Sequence, residues 1–199
     1  MLPNRKINIA IFASGNGSNA EAIANHFANS KLAQVRLILT NNYKAGVLQR
    51  AARLHIPVFI FDRTEFYQSE AILKYLQAAQ VDVVVLAGFL WLVPPYLVQA
   101  YGGRMINIHP ALLPKYGGKG MYGMKVHQAV ADNREAETGI TIHLVNEQYD
   151  EGDVLRQEKV LLKNDETPES IAEKVHKLEY EFFPKTIEDF IVSAFKAKQ

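Results

Sequence analysis

The 199-residue chain carries 22 Lys and Arg against 21 Asp and Glu, a formal net charge of +1, so no basic footprint points to a nucleic acid or an anionic membrane as partner. Hydrophobic residues make up 48% and charged residues 22%, the balance of a soluble globular chain, and the length suits one good-sized domain over residues 1–199. There is no cysteine, which excludes disulfides, thiolate metal sites and a cysteine nucleophile and fits a reducing, cytoplasmic setting.

Arg5 and Lys6 precede the first apolar run, but Gly15 and Gly17 interrupt it too early for a secretory leader. Ile7–Ala13 reads as a strand, followed by a glycine loop. Asn19–Phe27 then places Ala20, Ile23, Ala24 and Phe27 at helical spacing. Val35–Thr40 is the next strand, Ala45–Leu54 a helix, Pro57–Phe61 a short strand, and Glu65–Ala79 one helix with Ile72, Leu73, Leu76 and Ala79 on one face. Val81–Leu86, apolar except for Asp82, has the pattern of a strand buried on both faces. The apolar stretch from Val81 to Val93 is too short to span a membrane. A short helix at Pro95–Tyr101 leads to a strand at Arg104–Ile108. Thr138–Val145 and Val154–Leu162 read as two further strands. Beyond Asp165, an apolar stripe of Ile171, Val175, Leu178, Phe182 and Phe190 marks a helix with a kink expected at Pro184. Repeated β-α units predict an α/β fold: a doubly wound, mostly parallel but mixed sheet with helices on both faces. In such sheets ligands bind beyond the carboxyl ends of the strands. Ser14–Asn19, Gly88–Leu92 and Asn107–Pro110 all fall there.

Ser14-Gly15-Asn16-Gly17-Ser18-Asn19 joins a strand to a helix, where unpaired N–H groups and the dipole favour an anion. Ser18 and Asn19 offer further donors or a helix cap. The loop nearly matches a dinucleotide fingerprint through Gly15, Gly17 and Ala20. The acidic ribose ligand expected some 20 residues on is missing, since Asn41 and Asn42 follow the second strand. A single phosphate monoester fits better than a dinucleotide; a tight turn with no ligand is the alternative.

Asn107 and His109 stand two apart at a strand end, hence on one face, and Pro110 stops the strand. An amide to stabilise an oxyanion and an imidazole to pass a proton suit formyl or acyl transfer. Asp150, in the polar loop Glu147–Asp153, supplies a carboxylate if it folds against them; by itself it reads as solvated surface. His143 and Thr141 share a strand face, either lining the same cleft or satisfying each other beneath it. His26, His55 and His176 read as structural, no metal is expected because ligand spacing is lacking, and G-x-S-x-G is absent.

At these residues the chain resembles the phosphoribosylglycinamide formyltransferases, folate-dependent enzymes of purine synthesis. The resemblance runs over nearly the whole length. It is carried by Ser14–Asn19, Ala87-Gly88-Phe89-Leu90, Asn107–Pro114, and Gly139-Ile140-Thr141-Ile142-His143 followed by Asp150. It implies a formyltransferase-like Rossmann variant and transfer of the formyl group of 10-formyltetrahydrofolate, a co-substrate, to the amine of glycinamide ribonucleotide. Asn107, His109 and Asp150 match the family's catalytic residues. Gly17, Ser18 and Asn19 match its substrate phosphate loop, and Glu179 matches a glutamate on the ribose or glycinamide portion. Leu90, Trp91, Leu92 and Val93, with Asn107 and the loop from Asn146 to Asp150, would hold the folate.

Two departures stand out. Many relatives have an arginine where this chain has Trp91, and Arg63 stands one place off a family arginine near the folate tail. Lys115–Met124 is longer than in the best-known members, and its glycines suit either a mobile loop beside the site or a surface insertion. The chain is expected to act as a monomer or homodimer. The rival readings are a 10-formyltetrahydrofolate deformylase, which usually has an extra N-terminal domain, a methionyl-tRNA formyltransferase, which adds a C-terminal RNA-binding domain, and a non-catalytic nucleotide sensor using the glycine loop alone.

Overall fold

The structure is a computed structural model, and it describes residues 5–195; Met1–Asn4, part of the segment read above as no leader, and residues 196–199 lie outside it. Seven strands form one mixed sheet: β1 (Ile7–Phe12), β2 (Ala33–Thr40), β3 (Val58–Ile60), β4 (Val83–Leu86), β5 (Met105–His109), β6 (Glu137–Leu144) and β7 (Val154–Leu161). Their order is β3-β2-β1-β4-β5-β6-β7. The first five in that order pair in parallel, and β6 and β7 are added antiparallel at one edge.

The alternation of side chains along the central strands divides the core into two. Ile7, Ile9, Ile11, Val83 and Val85 pack on one face, with α1 (Ser18–Phe27), α2 (Val47–Arg53), α6 (Met124–Asp132) and α7 (Pro168–Phe195). Ala10, Phe12, Val84 and Leu86 pack on the other, with α3 (Arg63–Tyr67), α4 (Ala71–Ala78) and α5 (Pro95–Ala100). Asp82, the charge ahead of β4, accepts the Asn8 N–H at 2.8 Å and both guanidinium nitrogens of Arg5 at 2.6 and 2.9 Å, so no bare charge enters the sheet.

Three elements depart from expectation. The helix expected over Glu65–Ala79 is two. α3 starts earlier, on a capping box in which Asp62 accepts from the Glu65 N–H and Glu65 from the Asp62 N–H. Between α3 and α4, the Ser69 hydroxyl bonds the Glu65 carbonyl and receives the Ala71 N–H, competing with the helix ladder. Second, α6 was not foreseen: it buries only Val126, His127 and Val130 and follows a glycine-rich segment. Third, α7 continues through Pro184 as 28 helical residues; Phe183, Pro184 and Ile187 are buried, and Thr186 bonds back to the Phe182 carbonyl. Among the described residues no helix is long and apolar enough to cross a membrane.

Candidate active site

The sheet order reverses between β1 and β4, so the loops leaving these two strands part and open a crevice. Ser14 ties them together: its N–H bonds the Gly88 carbonyl at 3.0 Å, and its hydroxyl accepts the Leu90 N–H at 3.1 Å. The glycine loop turns into α1 at Gly17, whose φ of 76° lies in the left-handed region. A Cβ there would run into the Val47 side chain, so glycine is required both by conformation and by packing. Neither Ser18 nor Asn19 caps the helix. Gly17 is the cap residue and no side chain of the described residues bonds the first turn, which leaves its N–H groups for a ligand. The Asn19 amide nitrogen donates instead to Glu179 Oε2 at 2.8 Å, joining α1 to α7.

β5 ends at the same rim. Its antiparallel register puts Asn107 opposite His143 and His109 opposite Thr141 on β6. The Asn107 amide nitrogen reaches His143 Nε2 at 3.1 Å and Asp150 Oδ1 at 3.4 Å. Nδ1 of His143 donates to the Leu144 carbonyl at 2.8 Å, which leaves Nε2 as the acceptor of the Asn107 amide. Asp150, at φ 56° just beyond β6, turns its carboxylate inward: Oδ2 stands 3.5 Å from His109 Nδ1 and accepts the Gly118 N–H at 2.9 Å. His109 Nε2 lies 2.7 Å from the Tyr116 carbonyl, so this nitrogen carries the proton and Nδ1 is the basic one. Thr141 takes neither option left open by the sequence: it is not bonded to His143, and it does not line the cleft as His143 does. Its hydroxyl bonds the Ala111 carbonyl and receives the Leu113 N–H, shaping the chain just after His109 rather than lining the cleft.

Burial dominates at His109 and holds its imidazole below the ordinary value, against the pull of Asp150. Burial alone would raise Asp150; His143, the charge of His109 and the Gly118 N–H outweigh it and hold the carboxyl below its usual range. Near neutrality the pair is therefore a neutral imidazole beside an ionised carboxylate. Burial raises Glu179, more than Asn19 and His176 lower it.

These groups open into one cleft of about 740 Å³. Gly17, Ser18, Asn19 and Glu179 line one part of it, Leu90, Trp91, Leu92, Val93, Asn146 and Asp150 another, with Asn107 and His109 among them. All the residues singled out for the site thus face a single cavity. The apolar seat is open, for Leu90 and Leu92 are exposed while Val93 beneath is buried.

A family model described as "Formyl transferase" matches residues 7–187. A phosphoribosylglycinamide formyltransferase of Bacillus subtilis is 35% identical over 187 residues, covering 92% of this chain and 93% of the relative. The chain belongs to the phosphoribosylglycinamide formyltransferases. The chloroplastic formyltransferase of Arabidopsis thaliana is 39% identical over 191 residues; the match covers 93% of this chain but 65% of that longer relative. The crystal structure of the Bacillus halodurans phosphoribosylglycinamide formyltransferase superimposes with a TM-score of 0.85 at 34% identity, covering 96% of this chain and all of that one.

Against this formyltransferase frame, the structure also shows what the sequence left out. His176, read as structural, lines the cleft, its ring stacked on Tyr180 with centroids 6.0 Å apart. His127 of the unforeseen α6 lines it too, edge-on to His176 at 6.3 Å. The guanidinium of Arg63 stacks 5.3 Å from both the Trp91 and Tyr67 rings, so the two departures from the family pattern touch each other at the apolar end. Lys115–Met124 is no detached insertion: Tyr116 and Gly118 hold His109 and Asp150 through backbone atoms.

Proposed function

We propose that this cleft transfers the formyl group of 10-formyltetrahydrofolate to the primary amine of glycinamide ribonucleotide, giving formylglycinamide ribonucleotide and tetrahydrofolate. One observation carries the reading: an anion cradle at Gly17–Asn19 and the Asn107, His109, Asp150 group open into the same cavity, beside an apolar seat. The phosphate sits on the free N–H groups of α1, and Glu179, held by Asn19, faces the ribose or the glycinamide. The pterin lies on Leu90 to Val93 and against the loop from Asn146 to Asp150.

The amine nitrogen attacks the formyl carbon, and negative charge develops on the formyl oxygen. Asn107 donates to that oxygen, using the N–H that now makes the long 3.4 Å contact with Asp150. Asp150, ionised, accepts the proton that the amine sheds. The basic Nδ1 of His109, 3.5 Å from that carboxylate, relays it to N10 of the folate as the C–N10 bond breaks. A hydrolytic reading, with water in place of the amine, has no use for the cradle. The test is a spectrophotometric assay with 10-formyltetrahydrofolate, with and without glycinamide ribonucleotide. Tetrahydrofolate that forms only when the nucleotide is present is expected; equal formation without it would establish a deformylase instead.

A further inference from the structure

Resting on that reading, we propose that Lys119 is the cation that neutralises the phosphate of the nucleotide substrate, from the tip of a turn hung on the catalytic pair. A phosphate monoester brings about two negative charges. Its cradle at Gly17–Asn19 offers uncharged donors only, and the same cleft already holds two carboxylates, Asp150 and Glu179. Arg50 touches the outer side of the glycine loop, donating to the Asn16 carbonyl at 2.8 Å, but its charge is paired with Glu21, which Arg53 shares. Among the described residues lining the cleft, Lys119 is the only lysine or arginine, and it is exposed and makes no ion pair or hydrogen bond to another described residue.

Its placement is built rather than incidental. The Met121 N–H bonds the Gly118 carbonyl at 3.1 Å, closing a four-residue turn with Lys119 second and Gly120 third. Gly120 has φ 91°, the conformation a type II turn demands at that position. The turn is anchored at its base, where the Gly118 N–H is bonded to Asp150 and the Tyr116 carbonyl to His109. From there the chain runs into α6, whose His127 meets His176, three residues before the Glu179 that bonds Asn19 of the phosphate helix. The turn is therefore anchored at His109 and Asp150 and leads through α6 toward the Glu179 side of the same cleft, with its charge at the tip. A lysine on a short turn acts as a point charge, which suits a phosphate whose other oxygens are held by backbone N–H groups.

The experiment compares wild type, Lys119→Met and Lys119→Arg as full chains in steady-state assays with glycinamide ribonucleotide and with its dephosphorylated riboside. Loss of a charge-assisted contact is expected to raise the nucleotide KM at least about tenfold in Lys119→Met. The kcat and the folate KM should stay within about twofold, and the riboside KM should not move. Lys119→Arg should restore most of the nucleotide affinity. Equal rises for nucleotide and riboside, an unchanged nucleotide KM, or an effect falling on the folate KM would each overturn the assignment. A wild type that transfers to the nucleotide and prefers it to the riboside upholds the parent reading whatever the variants do. A wild type that transfers to neither overturns both. Lys119 is exposed, so unchanged circular dichroism and Tm are expected for both variants.

Discussion

His127 should make this protein acid-sensitive, by an amount the structure sets. It is 2% exposed on α6, and its Nδ1 is buried with no hydrogen-bond partner among the described residues. Burial pushes its pKa down to about 4, helped by the neighbouring His176 and His109. In the unfolded chain the same ring titrates near its ordinary value of about 6.5. As pH falls through that value the unfolded state takes up a proton that the native state refuses until about pH 4. Stability contributed by the neutral ring is therefore complete above about pH 6.5 and drains away between there and about pH 4. Integrating at about 1.36 kcal/mol per pH unit gives a loss of about 2.5 kcal/mol between about pH 7.5 and about pH 4.5. The assay is urea unfolding of wild type, His127→Gln and His127→Leu at those two pH values. Each variant differs from wild type at neutral pH for packing reasons, but its own loss on acidification should be smaller than the wild type's by about that amount. Parallel losses in all three proteins would refute the reasoning, because the ring would then protonate as readily in the folded state as in the unfolded one.

Two further outcomes are expected. His109→Ala and Asp150→Asn should each lower kcat by about a hundredfold or more, since proton transfer by a positioned group is worth that much; near-normal turnover in either purified, folded variant removes the relay role. Gly17→Ala should destabilise the protein by about 2–4 kcal/mol, combining a left-handed φ with a Cβ driven into Val47. Thermal unfolding reads that cost, and the nucleotide KM should rise with it because the cradle is displaced.

The central sheet was legible because its strands obey one rule along their whole length. Ile7, Ile9 and Ile11 alternate with Asn8, Ala10 and Phe12, and burial on both faces leaves continuous apolar runs that few other structures tolerate. The alignment of Asn107 with His109 was legible for the same reason, since strand period two fixes their common face. Asp150 was different. Nothing local distinguishes it from Glu147 or Glu151, and its approach to His109 depends on a turn at φ 56° that spacing alone does not reveal; it entered through resemblance. His143 was left undecided because its partner is set by the register of β6 on β5, a property of the pair rather than of either strand.

The segment after Pro114 was the hardest to read, and the reason is chemical. Its contacts with His109 and Asp150 are made by the Tyr116 carbonyl and the Gly118 N–H, and a backbone atom leaves no residue type behind as a signal. What it does leave is a conformational demand. Gly118 and Gly120 both have φ near 90°, which other residues rarely adopt, and they bracket Lys119. The glycine spacing that suited either a mobile loop beside the site or a surface insertion is thus the trace of a shaped turn. A turn built on those two glycines can hold His109 and Asp150 at its base and still present a charge to the cleft, whereas a helix or strand in that place would have its backbone groups consumed by its own ladder.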